Sequence, residues 1–366
     1  MKTIVAHNAS PILGGGEIWL WRLLVELQRR GHRVLLLCKT DEIAAHASAF
    51  GIPTETFSIG GTVAFGDAIR FALRLRRAQA DVVLLTTFSK VWLGGIAAHL
   101  AQVPHVVARV AVSTITPRHV FYRLAIRRLL DAVIVNAEEI RQTFLRIMPR
   151  LEPHRIVTIH DGIEEPTTDK PREVVRRELG LAPNAQVIGT LARLSRQKRL
   201  QRLIHALTQL PHNVHCIVAG EGPEEQPLRA IAAELRVRER VHFIGFRDDV
   251  RSVLNALDVF VLSSDWEGLA NSMLEAMCVG LPVVTTRVSG ANVALQPDSD
   301  GVVPGIVVGF DDGELAAALR MLLADENLRA RMGATGRARV QQQFGFGRMV
   351  DEWEQILRLA PPRGVA

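Results

Sequence analysis

The sequence predicts an α/β protein made of two doubly wound, Rossmann-like units, and three observations predict it. The chain has 366 residues, more than one hydrophobic core usually holds, so two domains are expected. Short apolar runs rich in Val and Ile alternate with helix-length segments, the pattern of parallel sheets covered by helices on both faces. The alternation breaks at the polar, proline-containing stretch Glu164 to Arg172 and then restarts.

In the first unit, residues 1–165, the predicted strands are Thr3 to Ala6, Val34 to Cys38, Val82 to Leu85, His105 to Ala108, Val133 to Val135 and Ile156 to Ile159. Each is short and largely apolar, as suits a strand buried on both faces. After the first strand, Gly14-Gly-Gly-Glu17 reads as a glycine-rich loop ahead of a long helix that ends at Arg30-Gly-His-Arg-Val34. In the second unit, residues 166–345, the strands are Val187 to Ala192, Val214 to Ala219, Val241 to Ile244, Val259 to Leu262, Val283 to Thr285 and Ile306 to Val308. Closing helices are read from Gly336-Arg-Ala-Arg339 onward and over Arg348 to Leu359, where Met349, Trp353, Ile356 and Leu357 fall near helical spacing. The segment 346–366 is expected to pack back on the first unit.

Composition narrows the class. With 48% apolar and 22% charged residues the chain is an ordinary globular one. The apolar opening is too short for the core of a signal peptide, and no apolar run approaches the roughly 20 residues that span a bilayer, so a cytoplasmic location is expected. Cys38, Cys216 and Cys278 are odd in number and set among apolar residues, which suits reduced core thiols. The net charge of +6 is uneven: residues 1–165 hold 20 Lys and Arg against 14 Asp and Glu, whereas residues 166–366 hold 24 of each. A basic half suits an anionic substrate or lipid. Nucleic acid is not expected, because no basic motif with interleaved aromatics occurs.

The most informative stretch is Ser263-Ser-Asp-Trp-Glu-Gly-Leu-Ala-Asn-Ser-Met-Leu-Glu-Ala-Met-Cys-Val-Gly-Leu-Pro-Val-Val284, in which seven residues separate Glu267 from Glu275. Gly268 makes its first part a loop, and the S-x-x-E spacing of Ser272 and Glu275 is that of a capping box, which starts a helix near Ser272. A helix N-terminus presents unpaired N–H groups, so a diphosphate fits there. The two carboxylates are placed to accept hydrogen bonds from hydroxyls of a sugar and a ribose.

This stretch resembles the donor-site motif of the family-4 (group 1) glycosyltransferases. So do Gly189-Thr-Leu-Ala-Arg-Leu-Ser-Arg-Gln-Lys198, Ala219-Gly-Glu-Gly-Pro223, Phe243-Ile-Gly-Phe246 and Ile159-His-Asp-Gly-Ile163, in order and spacing. The resemblance implies the GT-B fold, two Rossmann-like domains facing a central cleft, and retaining transfer from a UDP- or GDP-sugar. The acceptor it implies is a hydroxyl of a glycan, a lipid-linked compound or a small molecule. It implies that Arg193 and Lys198 hold the diphosphate and stabilise its departure, with Glu267 as the third catalytic residue. Donor contacts are expected from Gly15, Gly16, Gly222, Phe246, Arg247, Gly268, Leu269, Ala270, Asn271 and Glu275. No cofactor and no metal are expected, the cations replacing the metal of Asp-x-Asp transferases. Two alternatives are a nucleotide-sugar 2-epimerase on the same fold and a non-catalytic nucleotide-sugar-binding protein.

The chain departs from the family in the segment Val103-Pro-His-Val-Val-Ala-Arg-Val-Ala111, where many members carry a histidine shortly after the proline; here Arg109 and Val110 occupy that neighbourhood. Arg109, with Glu17, is the candidate for acceptor contact, while His105 and His119 are read as structural or surface residues. Arg70 to Arg77 and Pro117 to Leu130 combine arginines with apolar residues at helical spacing, so attachment to an anionic inner leaflet is a further expectation.

Overall fold

The structure, a computed structural model, describes residues 1–11, 13–61, 63–111, 119–165 and 170–358. Pro117, Arg118, the middle of the polar stretch (166–169) and the tail 359–366 lie outside the described residues. The chain forms two compact units, residues 1–160 with 347–366, and residues 161–346.

The first unit holds seven parallel strands: β1 (Thr3–Asn8), β2 (Arg33–Cys38), β3 (Thr54–Thr56), β4 (Val82–Leu85), β5 (His105–Val110), β6 (Ala132–Val135) and β7 (Ile156–Thr158), in the order β3-β2-β1-β4-β5-β6-β7. The second holds six: β8 (Gln186–Leu191), β9 (Val214–Ala219), β10 (Val241–Phe243), β11 (Val259–Leu262), β12 (Val283–Thr286) and β13 (Gly305–Val308), in the order β10-β9-β8-β11-β12-β13. Strand β3 was not foreseen: it is Thr-Glu-Thr with two exposed residues, so it carries no apolar run.

The period of two explains the second unit's core. In β11, Phe260 and Leu262 enter one apolar cluster with Met273, Leu274 and Met277, while Val259 and Val261 enter another with Leu203, Ile204 and Leu319. Helices therefore cover both faces, and the strands need apolar residues at every position.

The division between units falls at His160/Asp161, ahead of the polar stretch read as the boundary. Ile163 is the reason: its N–H donates to Phe344 O (2.7 Å), its carbonyl accepts from Phe346 N (3.2 Å), and its side chain enters the second unit's core. The last helix, Phe346–Arg358, contributes Met349, Val350, Trp353 and Leu357 as buried residues. Trp353 meets Trp19 at 5.5 Å between ring centroids, and Trp19 Nε1 lies 3.1 Å from Met349 Sδ. Arg30 Nη1 donates to Asp351 (2.6 Å) and Glu354 (3.0 Å).

The three cysteines are free and buried; burial pushes the Cys38 thiol up to about 11 and that of Cys216 to about 12. His7 on β1 is wholly buried, stacked near Phe57 and Phe71. Burial, reinforced by the Lys90 charge, lowers its pKa from 6.5 to about 4. The unfolded chain then binds the extra proton first, so this contribution is complete above pH 6.5 and is lost as pH falls toward 4. The loss reaches about 3 kcal/mol. His7→Leu is expected to flatten the melting temperature against pH across that window, and thermal melts of parent and variant from neutral to acid pH check it.

Candidate active site

In a doubly wound sheet, ligands bind at the carboxyl ends of the strands where the strand order reverses. In the second unit that point lies between β8 and β11. The loops leaving these strands are joined. Asp265 N donates to Gln197 O (2.9 Å), Gln197 Nε2 to Trp266 O (2.8 Å) and Ser263 Oγ to Lys198 O (2.9 Å). The Asp265 carboxylate accepts from Arg199 Nε (2.6 Å) and Arg202 Nη1 (2.8 Å). This framework sets the Lys198 ammonium on the Glu267 carboxylate, whose Oε1 also accepts from Ser264 Oγ (2.8 Å). Arg193 is exposed, and its guanidinium has no hydrogen-bond partner among the described residues. Two of the three nominated catalytic residues thus neutralise one another, and the third points to solvent.

The β9 loop supports the β8 loop from the other side. Ala192 N donates to Ala219 O (3.0 Å), Leu194 N to Glu221 O (2.8 Å), and Glu224 N to Leu194 O (3.0 Å). Gly220, at φ +128°, lies so close to the Ala192 carbonyl that a side chain there would overlap it. Gly222 follows in the same loop. Gly220 N donates to Gly245 O (2.7 Å) at the end of β10, next to the half-exposed Phe246. Arg247 is occupied: its Nε and Nη2 both donate to Asp249 at 2.6 Å, which holds the Asp249 carboxyl below its usual range.

The capping box does not form. The helix runs Asn271–Cys278 with Ala270 as its N-cap and no side-chain cap, which places Ser272 inside the first turn, where its hydroxyl is not at the capping position. The consequence for an anion is favourable, because the first-turn N–H groups carry no side-chain cap. Gly268, Leu269 and Ala270 are buried on the approach to this helix, and Glu275, half-buried, lies on it. Gly290, after β12, donates its N–H to Gly268 O (2.9 Å).

The first unit places its candidates separately. Gly15 and Gly16 are not in a loop: the helix begins at Gly15, with extended Gly14 as its N-cap, and both glycines face open space. Glu17, in the same turn, accepts from Asn8 Nδ2 (3.3 Å) at the end of β1, beside the reversal of strand order between β1 and β4. Arg109 is buried, its guanidinium 3.6 Å from the centre of the Trp19 ring. A cation held over an indole inside the unit is an anchored side chain, so Arg109 is less open to a ligand than its sequence position implied. His105 is structural, with Nε2 3.1 Å from Ile356 O, and His119 caps the helix Val120–Arg128, its Nδ1 accepting from Phe121 N (3.4 Å).

Sequence reasoning missed Gln197, Arg199, Arg202, Ser264, Asp265 and Gly290. Asp265, two residues before Glu267, was the one visible signal. An Asp-x-Asp spacing also occurs, at Asp298-Ser-Asp300, which the expectation of a metal-free site had overlooked. There Asp298 closes a turn, accepting from Asp300 N (3.0 Å), Val302 N (2.9 Å) and Thr335 Oγ1 (2.8 Å). Among the described residues no three His, Cys, Asp or Glu gather as metal ligands.

Comparison with known proteins gives the class. Residues 171–339 match the family described as glycosyl transferases group 1, and residues 13–165 match glycosyltransferase family 4. The lipopolysaccharide core biosynthesis glycosyltransferase LpsE of Rhizobium meliloti is 31% identical over 239 residues, 65% of this chain and 67% of that protein. An alpha-maltose-1-phosphate synthase of Mycolicibacterium smegmatis is 27% identical over 391 residues, 95% of this chain and 96% of that protein. In structure, Anabaena HepE in complex with UDP and glucose superposes with a TM-score of 0.84 over 98% of this chain and 99% of its own, at 23% identity. The fold is that of the glycosyltransferases with GT-B architecture. The chain belongs to the group 1, family 4 glycosyltransferases.

Proposed function

We propose that the protein is a retaining hexosyltransferase that moves a sugar from a UDP- or GDP-sugar to a hydroxyl of a glycan, lipid-linked or small-molecule acceptor. The observation that carries this reading is the Lys198–Glu267 pair, which lies in the loops beside exposed Arg193 and an uncapped helix N-terminus. A diphosphate at the helix N-terminus draws Lys198 off Glu267 and gains Arg193 as a second cation. Glu267, freed, accepts a hydrogen bond from a sugar hydroxyl, and Glu275 accepts one from the ribose. Phe246 and Gly222 border the nucleoside, and Gly268 to Asn271 line the phosphates.

The acceptor oxygen bonds to the anomeric carbon as the bond to the diphosphate breaks. The acceptor's proton passes to a diphosphate oxygen on the same face, which accounts for retention. Charge building on the leaving diphosphate is met by Arg193, Lys198 and the helix N–H groups, already oriented before the reaction. No cofactor is required. Glu17 is the acceptor candidate, Arg109 being buried against Trp19, and the place of action is the cytoplasm, with a lipid-linked acceptor at an anionic inner leaflet. The LpsE and HepE names, lipopolysaccharide core and UDP with glucose, agree with this choice of substrates.

Calorimetry against a panel of UDP- and GDP-sugars, followed by product analysis, tests the reading. One donor should bind and yield a glycosylated product with the anomeric configuration kept. Release of an epimerised sugar nucleotide without transfer would point to the epimerase instead. Since side chains meet the diphosphate charge, activity should persist unchanged in EDTA. Full inactivation reversed by magnesium or manganese would contradict a metal-free site.

A further inference from the structure

Three helices of the first unit, Phe65–Ala78, Val91–Leu100 and Val120–Arg128, pack side by side. Arg76 Nη2 donates to Leu100 O (2.6 Å), and the Trp92 and Phe121 rings lie 5.2 Å apart. Their inner faces fill the core through Phe71, Leu75, Ala97 and Ile126. Their outer faces are apolar as well. Phe65, Ile69 and Leu73 form one row at spacing i, i+4, i+8, and Val120 with Leu124 a second; on the middle helix Leu100 is exposed, while Trp92 and Ile96 are half-buried against the core. Phe65, Ile69, Leu73, Leu100, Val120 and Leu124 are between 43 and 65% exposed. Scattered exposed apolar residues need no explanation; rows in register with the helix repeat on neighbouring helices do.

The charges on these helices are nearly all positive, with Arg74 already paired with Glu55 of β3. They carry seven arginines, at 70, 74, 76, 77, 123, 127 and 128, and one acid, Asp67. Asp67 is already engaged by Gly60 N (2.7 Å) and Arg70 (2.5 Å). The net +6 of these helices equals that of the whole chain. A second copy is a poor occupant for such a face, because two sets of arginines would meet. A surface both apolar and anionic is complementary to it.

We propose that this three-helix face seats on an anionic lipid bilayer, its apolar rows entering the headgroup boundary and its arginines meeting lipid phosphates. It extends the lipid-linked acceptor reading but does not depend on it, since binding is measured with neither donor nor acceptor present. The new element is the apolar rows: an arginine patch alone would release fully in salt, whereas rows that enter the bilayer leave a salt-resistant fraction.

The test is co-sedimentation of the full chain with phosphatidylcholine vesicles, with and without phosphatidylglycerol, at low and high salt. The parent should pellet with the anionic vesicles, in part even at high salt, and not with neutral ones. Each arginine near the surface is worth about fivefold in binding, so replacing Arg70, Arg77, Arg127 and Arg128 by glutamine should reduce it at least a hundredfold. The triple Phe65→Ser, Ile69→Ser, Leu73→Ser should remove the salt-resistant fraction. These side chains are half in water already, so far-UV circular dichroism should match the parent. Equal recovery with neutral and anionic vesicles, or a triple serine variant that binds as the parent does, would overturn the proposal. So would a dimer in sedimentation velocity that the serine variant abolishes, which would assign the face to a second copy.

Discussion

Lys198→Ala and Glu267→Ala will each lower the rate of transfer at saturating donor by roughly a hundredfold, the usual cost of losing one group aimed at developing charge. The two side chains hold each other in the structure, so the losses will not add: the double variant should be little worse than the poorer single one. Glu267→Gln tests the carboxylate alone, since an amide oxygen still accepts from Ser264. Rates at saturating donor, with thermal melts beside them, decide the matter. Near-parent rates in either single variant would remove that residue from the reaction, and strict additivity would mean the pair does not work as a unit.

The second large effect is expected at Gly290. Its backbone is right-handed helical, φ −69° and ψ −18°, where alanine is ordinarily favoured over glycine. A Cβ there, however, would overlap the Gly268 carbonyl and lie 2.7 Å from Leu269 Cα. Gly290→Ala must therefore displace the loop that carries Glu267. Donor affinity should fall tenfold or more and transfer with it, while Gly66→Ala, which meets only open space and lies in no part of the site, should bind donor as the parent does. Calorimetry on both variants checks this; unchanged affinity in Gly290→Ala would show that the loop yields without consequence.

Much of the fold was legible because a parallel sheet demands apolar residues on both faces, and runs such as Val82 to Leu85 or Val259 to Leu262 have few other uses. Strand β3 was not, because an edge strand of threonine and glutamate carries no burial signal. Within the site, the two carboxylates were nominated from spacing, and Arg193 and Lys198 only from the resemblance to the family's motif. What could not be read was that Lys198 meets Glu267, or that Asp265 gathers Arg199 and Arg202: those contacts join residues 63 to 69 positions apart, and spacing reports only local geometry. The capping box failed for a related reason, since Ser272 and Glu275 have the right separation within a helix that starts earlier. Arg109 looked available because burial by Trp19 leaves no trace in the residues next to it.

The last helix gives the N-terminal unit an order of assembly. Residues 161–346 form a contiguous unit whose chain is entirely made before residue 347 is added. The first unit begins at Met1 yet waits for Met349, Val350, Trp353 and Leu357 to fill its core. The second unit can therefore fold without any residue beyond 346, while the first still shows the bare side of Trp19 until the last helix docks. A chain ending after residue 346 would keep the second unit whole and leave the first as the substrate for chaperones and proteases.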